Sequence, residues 1–287
     1  MEYFLSPVNR IHTMRKEEEE FHRLEGRIRD LSRKTYEENF LTHTSFLSEE
    51  EQAAFLKLVK KEEERNGTSL FAETFQGVPY ILYGGYEEAQ RRVICFLPDY
   101  LTRDEFDEQE KNENEVIACL EVKPENERFS DVLTHRDFLG AIMNLGLERN
   151  RVGDILTDSS MAYVYVAKEA KQIISQELVR VKHTTVTCRE VACSSCTIRP
   201  RKEKKEGSVS SERIDALTAL FCHISRGKAQ DLIKQEMVFV NGAAVESAQF
   251  LNKGDKISVR GYGKFCYQGI VSKTKKGKLI VAMEVYR

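Results

Sequence analysis

Ser211-Glu212-Arg213-Ile214-Asp215-Ala216-Leu217, followed by Ser225-Arg226-Gly227-Lys228-Ala229, Leu232-Ile233, Val240-Asn241-Gly242 and Gly254-Asp255, is the stretch whose reading decides the C-terminal fold. Ile214, Leu217 and Phe221 recur at helical spacing, and Ala229, Leu232 and Ile233 do so again, which predicts two short amphipathic helices able to pack together. Asn241-Gly242 supplies the positive φ that a two-residue hairpin needs, and Gly254-Asp255 a second turn. Arg213 begins the first helix, Arg226 and Lys228 stand at the amino end of the second, and Lys234 follows within two turns. Free helix amides flanked by flexible cations suit phosphate oxygens, so this is an RNA-binding layout.

The charge distribution agrees. The 287 residues carry 44 Lys+Arg and 46 Asp+Glu, a net charge of -2. From Thr197 to Arg287 there are 18 cations and 9 carboxylates, net +9, which leaves 26 and 37 for residues 1–196, net -11. A basic module on an acidic body is the electrostatic footprint of a nucleic-acid-binding appendage. The longest uncharged run, Thr74 to Tyr86, has 13 residues, against the roughly 20 a membrane helix requires. The N-terminus has no basic segment leading into an apolar one, so no secretory signal is expected. Seven cysteines without disulfide-framework spacing fit a reducing compartment. A cytoplasmic protein is therefore expected, without membrane association and monomeric.

Upstream, Phe21, Leu24, Ile28 and Leu31 predict a helix over 14–36 with Glu17 to Glu20 in its first turns, and Ser48 caps a second helix ending at Asn66-Gly67. Together they suggest a helical N-terminal unit at 1–74. Apolar runs at 78–83, 91–97 and 116–122, with a polar acidic loop over 103–115, read as strands. Thr134 and Asp137 form a capping box for a helix carrying Phe138, Ile142 and Leu145. A strand near 163–166, a helix over 168–179 and alternation over 181–191 complete an α+β middle domain at 75–196. Residues 197–209 have almost no apolar content and read as an exposed linker. The module at 210–287 ends in a hairpin that flanks Lys273 to Lys278.

The order of the opening stretch resembles the S-four domain, an RNA-binding fold. Arg213-Ile214-Asp215, Ser225-Arg226, Ala229, Leu232-Ile233, Val238-Phe239-Val240-Asn241-Gly242 and Gly254-Asp255 match its pattern; Gln230 departs from it, since many members have a cation there. The resemblance implies RNA contacts at Arg213, Ser225, Arg226, Lys228, Lys234, Asn241, Lys253, Arg260 and Lys264. Leu133-Thr134-His135-Arg136-Asp137-Phe138-Leu139-Gly140-Ala141, Asn144-Leu145-Gly146 and Val152-Gly153-Asp154-Ile155-Leu156 are similar to the middle domain of the YlmH family. Asn39-Phe40-Leu41-Thr42 with Phe46-Leu47-Ser48, and the ending Thr274-Lys275-Lys276-Gly277-Lys278, are similar to the same family. That implies an RNA-recognition-like middle domain, with Arg136, Arg149 and Arg151 as secondary RNA contacts. It further implies binding of ribosomal RNA and tRNA on the large ribosomal subunit, with a tailing factor among the partners, in ribosome-associated quality control of stalled peptidyl-tRNA.

Other motifs carry less. His135-Arg136-Asp137 has the form of a kinase catalytic loop, but no Gly-rich phosphate loop accompanies it and position 142 is Ile where a metal-binding Asn would stand. Cys188, Cys193 and Cys196, with Cys222, have plant-type iron-sulfur spacing; they read as incidental thiols near a linker. Tyr80, Tyr83, Tyr86 and Phe96 would stack bases if their sheet face were open, and core packing otherwise. Asn66-Gly67-Thr68 has the form of a sequon without relevance in the cytosol. Neither a cofactor nor a metal is expected, and the chain reads as a non-catalytic RNA-binding protein. Two alternatives stay open: an RNA-modifying enzyme of the pseudouridine synthase or methyltransferase type, and a cell-division adaptor using the acidic N-terminal helices.

Overall fold

The computed structural model describes residues 7–66, 74–158, 161–199, 202–245, 249–275 and 277–286, so Gly67 and Thr68 of the sequon, and Lys276, lie outside it. The chain divides into two compact units, one of residues 1–51 and 55–198 and one of residues 199–287 with 52–54. Mixed helix and sheet make it α+β, as the alternation of periods predicts.

The first unit opens with α1 (Pro7–Glu38), β1 (Thr42–His43), α2 (Glu49–Asn66), β2 (Thr74–Phe75), β3 (Val78–Tyr83) and β4 (Val93–Phe96). Helix α1 starts at Pro7 and not near residue 14, so positions 17–20 lie in its interior. Proline suits a first helical turn because the missing N–H would lack a partner there anyway. Ser48 and Glu51 form a capping box on α2: the Glu51 amide donates to Ser48 Oγ (3.2 Å) and the Ser48 amide to Glu51 Oε2 (2.7 Å).

These helices do not make a unit of their own. They cover a sheet of order β1-β4-β3-β2, and Ile28, Phe55, Leu58 and Val59 share one core with Phe75, Tyr80, Ile94 and Phe96. The boundary expected at 74/75 therefore cuts through a layer, because two apolar helix stripes need a sheet to close on. Strand β4 is buried on both sides. Ile94 and Phe96 face the helices, while Val93 and Cys95 enter a second core with Ile81, Ile117, Cys119 and Tyr165.

Residues 103–115, expected as a loop, hold α3 (Arg103–Glu113), opened by a Thr102–Glu105 capping box and closed by Asn114 at φ 50°. The middle of the unit then runs β5 (Ile117–Pro124), α4 (His135–Met143), β6 (Val152–Asp158), β7 (Met161–Ala167), α5 (Lys168–Glu177), β8 (Arg180–Val181) and β9 (Thr184–Val191). This is a βαββαβ path with antiparallel sheet order β6-β7-β5-β9-β8. Helices α4 and α5 cover Leu120, Val122, Val164 and Val166 on one face. Opposite, Ile117, Cys119, Tyr165 and Ala167 pack on the β3–β4 layer, giving four layers in all. Tyr80 and Phe96 are buried, Tyr83 packs edge-on against Phe106 and Tyr86 stacks on Tyr165, so these rings are core. Gly85 (φ +84°) permits that approach: a Cβ there would lie 2.5 Å from the Tyr165 ring.

The second unit consists of β10 (Lys202–Val209), α6 (Ile214–Cys222), α7 (Arg226–Lys234), β11 (Val238–Val240), β12 (Ala243–Ala244), β13 (Lys256–Val259), β14 (Gly263–Lys273) and β15 (Leu279–Tyr286). The sheet order is β10-β15-β14-β13-β11-β12. Residues 202–209 are thus an edge strand and not a linker, paired from Lys202↔Tyr286 to Val209↔Leu279. Charged residues blunt exposed sheet edges, which is why this strand reads as solvent-loving chain. Ile214, Leu217, Leu232 and Ile233 pack with Val238, Val240, Ile257, Phe265 and Val281.

Candidate nucleic-acid interface

Arg213 occupies the N-cap position of α6 in extended backbone conformation, and His223 (φ 53°) ends that helix. Ser225 caps α7, its hydroxyl accepting the Lys228 amide at 3.2 Å. The sharp reversal brings the two helix starts together at one fully buried carboxylate, Asp215. Arg226 reaches it with Nε to Oδ2 (2.8 Å) and Nη2 to Oδ1 (3.3 Å), Gln230 with Nε2 to Oδ2 (2.9 Å), and Arg213 with Nε to Oδ1 (3.3 Å). Burial alone would raise the Asp215 pKa; the hydrogen bonds from Arg226, Gln230 and Arg213 outweigh it and hold the carboxyl at about 2.

Two of the expected RNA-contacting cations are therefore anchored, each with part of its surface still in solvent. Gln230 explains its own departure from the family pattern: its amide completes the Asp215 shell where a cation would add charge. Lys228 and Lys234 are exposed on α7. Asn241 (φ 51°) and Gly242 (φ 83°) make the expected two-residue turn between Val240 and Ala243. The Asn241 side chain is spent locally, accepting the Lys256 amide (3.0 Å) and donating to Asp255 Oδ1 (2.9 Å). It ties the turn at 241–242 to the turn at 254–255. Lys253 is exposed beside that second turn; Lys264 lies on β14, and the Arg260 guanidinium sits 4.9 Å from the centre of the Phe239 ring.

The secondary candidates part company. Arg136 is exposed on α4. Arg149 is half-buried and donates to the carbonyls of Val152 and Gly153, so it staples backbone. Burial, with Arg91 close by, lowers its pKa to about 10. Arg151 pairs with Glu169 at 3.5 Å. Near them Asp154 accepts the Tyr86 hydroxyl (2.7 Å) and the amides of Gln90 (2.6 Å) and Arg91 (3.1 Å).

The cysteines do not converge. Cys188 lies against the α4–α5 core, Cys193 and Cys196 are buried in the opposite core, and Cys222 packs in the second unit. Cys193 and Cys196 are core residues, and Cys188 and Cys222 are half-buried against the cores they border. Among the described residues no group of three or more His, Cys, Asp or Glu is placed to hold a metal. No helix among them is long and apolar enough to cross a membrane. What the sequence reading missed is Asp215 as the common anchor, signalled only by the two-residue spacing from Arg213.

A family model described as "Putative RNA-binding domain in YlmH" matches residues 111–195, the βαββαβ part of the first unit. The protein named "Ribosome-associated protein quality control protein P2" from Bacillus subtilis (strain 168) is 31% identical over 235 residues, which is 80% of this chain and 87% of that one. The solved structure of "Cell division protein ylmH from Streptococcus pneumoniae" aligns with a TM-score of 0.43 at 18% identity, over 69% of this chain and 99% of the other. Identity at that level, sustained across most of both the Bacillus protein and this sequence and spanning both units, makes the chain a member of the YlmH family.

Proposed function

We propose that this protein is a non-catalytic RNA-binding factor that associates with the ribosome through its basic C-terminal unit. The observation that carries the reading is the 31% identity to a Bacillus protein named for ribosome-associated quality control, maintained over 80% of this chain. The match of residues 111–195 to a domain described as RNA-binding supports it. So do the +9 charge of residues 197–287 and the anchored pair Arg213 and Arg226 at the joined helix starts. In this reading α6 and α7 form an S-four-type helical face, phosphate contacts supply most of the affinity, and RNA shape supplies selectivity. The βαββαβ path supports an RNA-recognition-like origin for the middle of the first unit. Its β5–β7 face carries the β3–β4 layer where such folds stack bases, which restricts stacking there. The finer proposal is binding of ribosomal RNA and tRNA on the large subunit, supporting rescue and C-terminal tailing of stalled chains.

The test is co-sedimentation with native ribosomal particles. Lys228→Glu/Lys234→Glu leaves the Asp215 anchor intact and should weaken co-sedimentation at near-physiological salt. Association unchanged both in that variant and in one that also carries Lys273→Glu, Lys275→Glu and Lys278→Glu would overturn the proposal. Charge reversal at Arg226 is a poorer choice, because it would set a second carboxylate against buried Asp215.

A further inference from the structure

The cations of the second unit are unevenly spread. Residues 212–236, which hold α6 and α7, carry four cations (Arg213, Arg226, Lys228, Lys234) and four carboxylates (Glu212, Asp215, Asp231, Glu236), so the helical face is neutral overall. Residues 253–278 carry eight cations against Asp255 alone. Most of the net positive charge of this unit therefore lies on β13, β14 and the turn beyond, and not on α6 and α7.

The geometry of that region is built to present charge. Strand β13 pairs with β14 only over Gly263 to Cys266, and beyond the Gly254–Tyr267 hydrogen bond β14 pairs with β15 alone. Residues 268–273 thus form the open edge of an arm, with Ile270 and Val271 exposed along it. The tip is ordered by its own hydrogen bonds. The Thr274 amide donates to the Lys278 carbonyl (2.8 Å), the Gly277 amide to the Thr274 carbonyl (2.9 Å) and the Lys278 amide to Thr274 Oγ1 (3.0 Å). Lys273, Lys275 and Lys278 are exposed around this closed turn. Lys253 joins them from the side: a Cβ on Gly269 would lie 3.8 Å from its Cβ, Cγ and Cδ, so its stem runs along the arm.

We infer that the β14–β15 arm, through Lys253, Lys273, Lys275 and Lys278, is a second RNA contact that grips the phosphate backbone of a duplex. A fixed turn removes part of the ordering cost of binding, and long flexible lysine stems tolerate any base sequence. No carboxylate interrupts the sequence between Lys256 and Lys278, so the positive charges of the arm do not alternate with negative ones. This rests on the RNA-binding reading above and adds where most of its salt-sensitive affinity comes from.

The test is binding of the full chain to a fluorescently labelled duplex RNA hairpin, titrated at several salt concentrations between about 50 and 200 mM. Lys273→Gln/Lys275→Gln/Lys278→Gln should weaken binding on the order of 10- to 100-fold and flatten the slope of log K against log salt by about 2 to 3, at roughly 0.7–0.9 for each phosphate no longer neutralised. The corresponding triple Arg variant should keep both, and circular dichroism should show all three proteins equally folded. A Gln variant with wild-type affinity and slope overturns the inference. So does one that only self-associates, which would make the lysines guards of an open strand edge. If Lys228→Gln/Lys234→Gln weakens binding while the arm variant does not, the RNA-binding reading stands and this inference alone fails. If the wild-type chain binds no structured RNA, both fail.

Discussion

Arg226 grips Asp215 with two donors, Nε at 2.8 Å from Oδ2 and Nη2 at 3.3 Å from Oδ1, and this fork joins the first turn of α7 to that of α6. Removing the acceptor leaves Arg213, Arg226 and Gln230 without their shared partner. Asp215→Ala should destabilise the second unit by about 2 to 3 kcal/mol, toward the lower end for a buried pair because both arginines are partly solvated. Hydrogen–deuterium exchange of the α6 and α7 amides reads this locally. Amide protection equal to wild type would show that helix packing alone sets the geometry.

The same carboxylate gives a pH signature. Its folded pKa, about 2, lies below the ordinary Asp value of about 3.9, so its stabilising contribution is complete above pH ~4 and is lost as pH falls through about 2. The difference in thermal midpoint between wild type and Asp215→Asn should be constant from neutral pH down to about 4 and narrow below it. A difference that instead narrowed near neutral pH would assign the effect to another group.

Asp154 is the corresponding anchor in the first unit. Its carboxylate accepts the Tyr86 hydroxyl and two main-chain amides of the segment between β3 and β4. Asp154→Ala should cost about 2 kcal/mol, on the scale of charge-assisted hydrogen bonds, and Tyr86→Phe about 1. Thermal denaturation should rank wild type above Tyr86→Phe and Tyr86→Phe above Asp154→Ala.

Much of this architecture can be read from residue order, and the exceptions have physical causes. The apolar, aromatic-rich run at Val78–Tyr83 and the β-branching at Thr184–Val191 mark strands openly. Helix α3 hides because Phe106 is its one apolar anchor while Glu110 occupies the other buried position, its carboxylate capping the amides of Val116 (2.9 Å) and Ile117 (3.3 Å). A buried Glu reads as surface. Strand β10 hides because its partner lies at the far end of the chain. In the candidate interface the cations and the Asn241-Gly242 turn are legible. Which of those cations are already committed depends on a carboxylate whose burial only the fold reveals.

Gly85 and Gly153 test how tightly the layers fit. A Cβ at Gly153 would stand 2.6 Å from the Phe46 ring, and at Gly85 positive φ adds to the clash with Tyr165. Gly85→Ala should cost about 3 kcal/mol or more, combining strain and overpacking, and Gly153→Ala about 1 to 3. Urea denaturation followed by tyrosine fluorescence measures both; midpoints unchanged from wild type would mean that the rings can yield.

The thiols offer a direct check on burial. Desolvation raises the pKa of Cys193 to about 12 and that of Cys188 to about 11. Iodoacetamide at neutral pH should leave Cys95, Cys119, Cys193 and Cys196 unmodified in native protein and alkylate them once it is unfolded. Rapid native labelling of Cys193 or Cys196 would contradict the packing of that core.

The pairing of β10 with β15 also bears on the order in which the second unit assembles. Its partners stand between 70 residues apart, Val209 to Leu279, and 84 apart, Lys202 to Tyr286. Closing such a loop costs about 3.8 kcal/mol of chain entropy before any ladder bond compensates, whereas α6 and α7 meet across a three-residue reversal. Local helix pairing therefore comes early and zipping of this edge late. By the same reasoning Lys202 to Val209 is an outermost ribbon able to open and close while the helices beneath it hold.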